Sequence, residues 1–203
     1  MNWTSFLYWD FLPLLGIITE GGIIIYFFLK KAPPSVIILR KIYWFFFFFL
    51  IFYSLFLSSL NYYLWSLKEF TQKFLPPYNS ISYFFRYSFQ YFYLETILKI
   101  VFSLIIFFGF YFLNKKFQEK FFYEEERYLA SLAFLILNWP LNIFYLFFVF
   151  FLGVGCHLIL ILIFKRKKRV SFLMFWPIIA LVFIVLNDII IKIPFLNSLK
   201  VNL

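Results

Sequence analysis

The stretch IYWFFFFFLIFYSLFLSSLNYYLWSL, Ile42–Leu67, decides the class of fold. It contains no charged residue and is long enough to cross a hydrocarbon layer, which takes about 20 apolar residues as a helix. Lipid offers no partner to an unpaired backbone amide, so a run of this kind must be helical. Its five consecutive phenylalanines, Phe45–Phe49, read as a lipid-facing surface.

Working outward, further apolar runs lie between charges at Phe6–Leu29, Thr96–Leu113, Tyr128–Tyr145, Leu146–Phe164 and Phe172–Leu186. A seventh, Tyr78–Leu94, carries Arg86 with several Ser and Tyr, and reads either as a short span or as an interfacial aromatic segment. The expectation is an all-α, polytopic transmembrane bundle of six to seven spans, forming one membrane domain over residues 1–203. Trp139-Pro140 and Gly153-x-Gly155 are expected to be kinks and close-contact points within spans.

Composition agrees with that class. Of the 203 residues, 65% are hydrophobic and 28% aromatic, with 36 Phe, against about 45–50% apolar for a soluble domain. The formal net charge of +10 would suggest nucleic acid in a soluble protein. In a lipid-soluble one it reads as loop cations meeting anionic headgroups and fixing topology, so no nucleic acid is expected and the lipid bilayer is the first partner. The single cysteine, Cys156, excludes an internal disulfide and a Cys-rich zinc site, and the adjacent His157 reads as packing. No P-loop, dinucleotide fingerprint, zinc-protease motif or serine elbow is present, and no cofactor or metal is expected. The segment MNWTSFLYWDFLPLLG lacks the features of a signal peptide and is read as part of the mature chain.

The strongest topogenic signal is Lys165-Arg166-Lys167-Lys168-Arg169, expected to be cytoplasmic. Counting back two crossings places Glu126 and Lys115-Lys116 on that side. If Tyr78–Leu94 also spans, Lys68, Glu69 and Lys73 join them, while Lys30, Lys31, Arg40 and Lys41 fall outside, against the positive-inside bias.

Two acidic positions stand at expected lipid boundaries: Glu69, seven residues before Pro76, and Glu126, which opens the run from Leu129. As solvated groups they are a surface charge and a helix-start charge, the latter favourable at the positive end of a helix dipole. Brought together, they could share a proton and activate a water, one as base and one as acid. Glu20 lies inside an apolar run and is a candidate proton or ion site, with Arg86 as a second intramembrane charge. Glu95 reads as a helix-start charge and Asp188 as the end of a run.

Residues 67–190 resemble the type IV prepilin peptidases, intramembrane aspartyl proteases with a G-x-G-D motif. Glu69-Phe70 precedes Leu75-Pro76-Pro77 at the interval of that family's first aspartate and proline. Tyr123-Glu124-Glu125-Glu126 leads into Arg127-Tyr128-Leu129-Ala130 where the G-x-G-D aspartate leads into a helix. Asn138-Trp139, Gly153, Lys165–Arg169 and Phe175-Trp176-Pro177 follow in the family's order. The resemblance implies Glu69 and Glu126 as the catalytic pair, a prepilin-like leader peptide as substrate and a bacterial inner membrane as location. Both aspartates are glutamates here, Tyr123 and Glu125 replace the two glycines, and Tyr128 replaces the lysine, so the member implied is active or degenerate. The alternatives are a small non-catalytic subunit of a larger membrane complex, such as an organelle-encoded respiratory subunit of an organellar inner membrane, and a transporter component using Glu20 and Arg86.

Overall fold

A computed structural model describes residues 11–118, 122–162 and 172–190. Among the described residues the chain is all helical: α1 (Phe11–Lys30), α2 (Val36–Leu67), the single turn α3 (Glu69–Gln72), α4 (Ile81–Ser88), a π-helical turn (Phe89–Tyr93), α5 (Leu94–Phe117), α6 (Glu124–Ile136), α7 (Leu141–Leu162), α8 (Phe175–Val185) and α9 (Asn187–Ile190). Among the described residues three helices are long and apolar enough to cross a membrane: Phe11–Lys30, Val36–Leu67 and the continuous Ile81–Phe117. The basic run Lys165–Arg169 and the side chains of His157 and Asp188 lie outside the described residues.

α2 begins earlier than the uncharged run. Ser35 caps it, its hydroxyl accepting the Ile38 N–H at 3.4 Å, so Arg40 and Lys41 form its first turns. Tyr78–Leu94 is not a separate helix. From Ile81 on it belongs to a 37-residue helix, about 55 Å long, that continues through the π turn into α5. The reason is local: from Ser80, at the N-cap position of α4, no proline or glycine interrupts the chain before Gly109. Glu95 therefore sits inside a helix and not at its start.

The expected span Tyr128–Tyr145 is broken. α6 ends at Ile136 and α7 starts at Leu141, running through the expected boundary at Tyr145. Pro140 has no amide to donate and disfavours a helical residue before it, so Trp139-Pro140 ends the run where a kink was expected. Gly153 does mark a close approach: a Cβ there would collide with the Phe172 ring.

α6 is the central post. Glu126 and every residue from Tyr128 to Ile136 are buried, against α5, α2, α8 and α1. The small residues Ala130, Ser131 and Ala133 admit neighbours closely. The Ser103 hydroxyl donates to the Ser131 carbonyl at 2.8 Å, fastening α5 to α6. Beyond it, Trp176 sits fully buried among Phe110, Tyr145 and Phe150, with ring centroids 5.6–6.0 Å away.

Six exposed cations gather at one end of the bundle. The Tyr43 ring stacks on Phe107 at 5.2 Å and meets Tyr128, so the start of α2, the end of α5 and the start of α6 share one end of the bundle. Lys30, Lys31, Arg40, Lys41, Lys115 and Lys116 are all exposed there. If the unbroken Ile81–Phe117 helix makes a single crossing, the conflict over Lys30–Lys41 disappears.

Candidate functional site

Glu69 and Glu126 are not brought together. Glu69 is exposed on α3, just past the end of α2, while Glu126 is fully buried at the start of α6, near Tyr43 on the opposite end of α2. From Tyr43 to Leu67 the helix rises about 36 Å. No single water could bridge the two carboxyls, and the water-activating pair expected from the sequence does not form.

Each has its own setting. Glu126 Oε1 accepts the Phe172 backbone N–H at 3.1 Å, stapling α6 to the segment that leads into α8. Its neighbour Arg127 pairs with Glu124 at 3.0 Å and lies over the rings of Phe107 and Tyr128, each at 4.7 Å. Glu126→Ala should therefore destabilise the fold by about 1–2 kcal/mol, the lower part of the range for stranding a donor, since the Phe172 N–H is only part-buried. Glu69→Ala should leave the unfolding midpoint in detergent unchanged. Equal shifts in both variants would contradict the staple.

Glu20 and Arg86 are likewise apart. Glu20 is buried in α1, within electrostatic reach of Tyr145, and its Oε1 has no hydrogen-bond partner among the described residues. Arg86 is exposed on α4, in the part of the long helix beyond the cleft described next.

What the fold does assemble is a cleft of about 460 Å³ between α1, α2, the Ile81–Phe117 helix and the break after α6. At its deep end Lys99, 3% exposed, donates to Asn138 Oδ1 at 2.7 Å and pairs with Glu95 at 3.1 Å. Each partner follows from local structure. Glu95 precedes Lys99 by one helical turn in the favourable order, and the halt at Pro140 leaves Asn138 outside any helix, free to turn its side chain to Lys99. α2 adds Ser54 and Asn61, both buried, and the amide nitrogen of Asn61 has no hydrogen-bond partner among the described residues. Tyr53, Tyr87, Tyr91 and Phe92 form aromatic walls.

Lys99 is the midpoint of the Ile81–Phe117 helix, about 27 Å from either end. If Lys115 and Lys116 mark one membrane boundary, about 30 Å of hydrocarbon reaches along α5 to the level of Glu95. Lys99 then lies just inside the far boundary, and Tyr91 and Tyr93 fall where interfacial aromatics gather. A buried cation at such a depth is costly unless paired, which makes Lys99 the candidate for a functional site. Sequence reading passed over it. The Glu95-x-x-x-Lys99 spacing was the available signal, hidden by treating Glu95 as the start of a helix.

No family model, curated protein or solved structure matches the chain. The site has to be read from its own chemistry. It offers donors, aromatic faces and one neutralised ion pair. It holds no paired carboxylates, and no cluster of metal-ligating side chains exists among the described residues.

Proposed function

We propose that this chain is a non-catalytic, multi-pass membrane protein that holds a small amphipathic molecule in the Lys99 cleft, its polar head against Lys99, Asn138 and Asn61. One observation carries the reading: a buried Lys99, held by the part-exposed Glu95 and Asn138, forms the floor of a 460 Å³ cleft, a volume ordinary for small-molecule sites. The role of a subunit within a larger membrane complex is favoured by the broad aromatic surface on the outer parts of α2 and α4, including Phe56, Tyr63, Tyr83 and Phe85. Kinship with prepilin peptidases is proposed for the architecture of residues 67–190 and not for their hydrolysis, because Glu69 lies past one end of α2 and Glu126 near the other. The basic end is assigned to the cytoplasm on the positive-inside bias, with a bacterial inner membrane as the proposed setting.

Accessibility of the cleft is the direct test. In a Cys156→Ser background, Ser54→Cys should react with a membrane-permeant maleimide in the folded protein, and filling the cleft with Asn61→Trp should slow that reaction at least tenfold. A Ser54→Cys thiol as inert in the native protein as a fully packed core thiol would remove the cleft and the proposal with it. Processing of leader peptides that is lost in both Glu69→Gln and Glu126→Gln would restore the peptidase reading.

A further inference from the structure

We infer that the cleft selects an uncharged, flat molecule bearing carbonyl oxygens, a quinone-type ligand, over an anionic amphiphile. The inference rests on the proposal that the cleft binds a small molecule, and concerns what kind.

The floor donates hydrogen bonds without carrying net charge. Lys99 spends two of its three N–H donors on Glu95 and Asn138, and the third meets no described residue. Glu95 already neutralises the ammonium. A carboxylate or phosphate would have to displace Glu95 from Lys99 or bring a second negative charge beside it in a weakly screened place. A neutral carbonyl needs neither: it accepts the remaining Lys99 N–H directly. Asn61 offers a second donor from the opposite wall, buried and without a partner among the described residues. A buried amide nitrogen left unmade is a cost that an acceptor oxygen would remove.

The walls call for a flat body. Tyr87 and Tyr91 stack at 4.3 Å and 28°, and the Trp65 ring backs Tyr87 at 4.7 Å. Their alignment depends on the π turn. In an unbroken α-helix, positions four apart drift by about 40° per step, so Tyr87, Tyr91, Glu95 and Lys99 would wind away from one face. The wider turn at Phe89–Tyr93, with Leu94 N–H donating to Phe89 O five residues back, takes up part of that drift. Aromatic wall and polar floor thus share one cleft. Isolated π turns of this kind recur at functional sites.

The test uses the full chain in detergent, with 2,3-dimethyl-1,4-naphthoquinone, which has no free quinone ring carbon for a thiol to add to, as a short probe, its analogue with a long isoprenoid tail in place of one methyl, and palmitate and lysophosphatidate as anionic competitors. Binding is read by quenching of tryptophan fluorescence and by protection of Ser54→Cys (in Cys156→Ser) from maleimide. Both quinones should bind saturably and protect the thiol, and the anions should not. Asn61→Leu and Tyr91→Leu should each weaken quinone binding roughly tenfold, the scale of one lost hydrogen bond or ring contact. Where a variant loses its native unfolding midpoint, thiol protection in the otherwise unaltered cleft decides alone. Tighter binding by the long-tailed quinone would place the source in the lipid phase, and equal binding would place it in water; both support the ligand class. Protection by palmitate or lysophosphatidate and not by quinone overturns the inference while leaving a binding cleft in place. A reactive thiol that no probe protects overturns the inference as well. A thiol that never reacts overturns both.

Discussion

Trp176→Ala should be the most damaging single substitution in the chain, lowering stability by about 3–5 kcal/mol, the range for deleting a large buried aromatic side chain. Trp176 is fully buried and its ring touches those of Phe110, Tyr145 and Phe150, so one indole joins α5, α7 and α8. In lipid the gain on folding comes mainly from packing and less from escape from water, and deleting the indole removes many contacts at once. The Tyr145 hydroxyl donates to the Trp176 carbonyl at 3.0 Å, and since that bond is to the backbone it can survive the substitution. The loss should therefore appear as a lowered unfolding midpoint in detergent with helical content retained. Phe112→Ala, on an exposed position of α5, is the control and should change little.

The second large effect concerns the ion pair, and its sign is asymmetric. Glu95→Gln leaves an ammonium that is 3% exposed with Asn138 as its main remaining support, whereas Lys99→Met leaves a carboxylate whose side chain is one-third exposed. Stranding a buried charge costs about 3–5 kcal/mol, and a group that reaches water escapes much of that penalty. Glu95→Gln should thus destabilise by about 3 kcal/mol or more, Lys99→Met by clearly less, and the double variant should recover most of the Glu95→Gln loss. Unfolding midpoints of the two single variants and the double complete a cycle that isolates the coupling. Equal losses from the two single changes would mean that Lys99 reaches water more readily than its burial implies.

The fold class was legible from Ile42–Leu67 because an uncharged run of that length leaves the backbone only one way to satisfy itself. What composition could not give was where helices continue or stop. Counting between charges ended a span at Glu95 and began α2 at Ile42, yet both helices run through their charges, since lysine, arginine and glutamate are good helix formers once outside or paired. Pro140 was visible, but its effect depended on whether neighbouring helices could repay a lost backbone bond, which one sequence does not reveal. The candidate site was less legible still. Glu69 and Glu126 drew attention as acids at a lipid boundary, and only the continuity of Ile81–Phe117 separates them. Lys99 and Asn138 are 39 residues apart, joined by an antiparallel packing of α5 on α6 that rests on Ser103, Ala130 and Ser131, residues with no individual sequence signal.

The clustering of Lys30, Lys31, Arg40, Lys41, Lys115 and Lys116 at one end has an electrical consequence. In an energised membrane that is negative on the side of this end, carrying one elementary charge across opposes the potential by about 2.3 kcal/mol per 100 mV. In an inverted chain the exposed Lys68, Lys73 and Arg86 at the other end would move the opposite way, so counting these lysines and arginines alone the inversion is unfavourable by about 7 kcal/mol per 100 mV, before any cost of dehydrating them. The membrane voltage would then act as a lock on orientation, holding the same way round any chain that had inserted correctly.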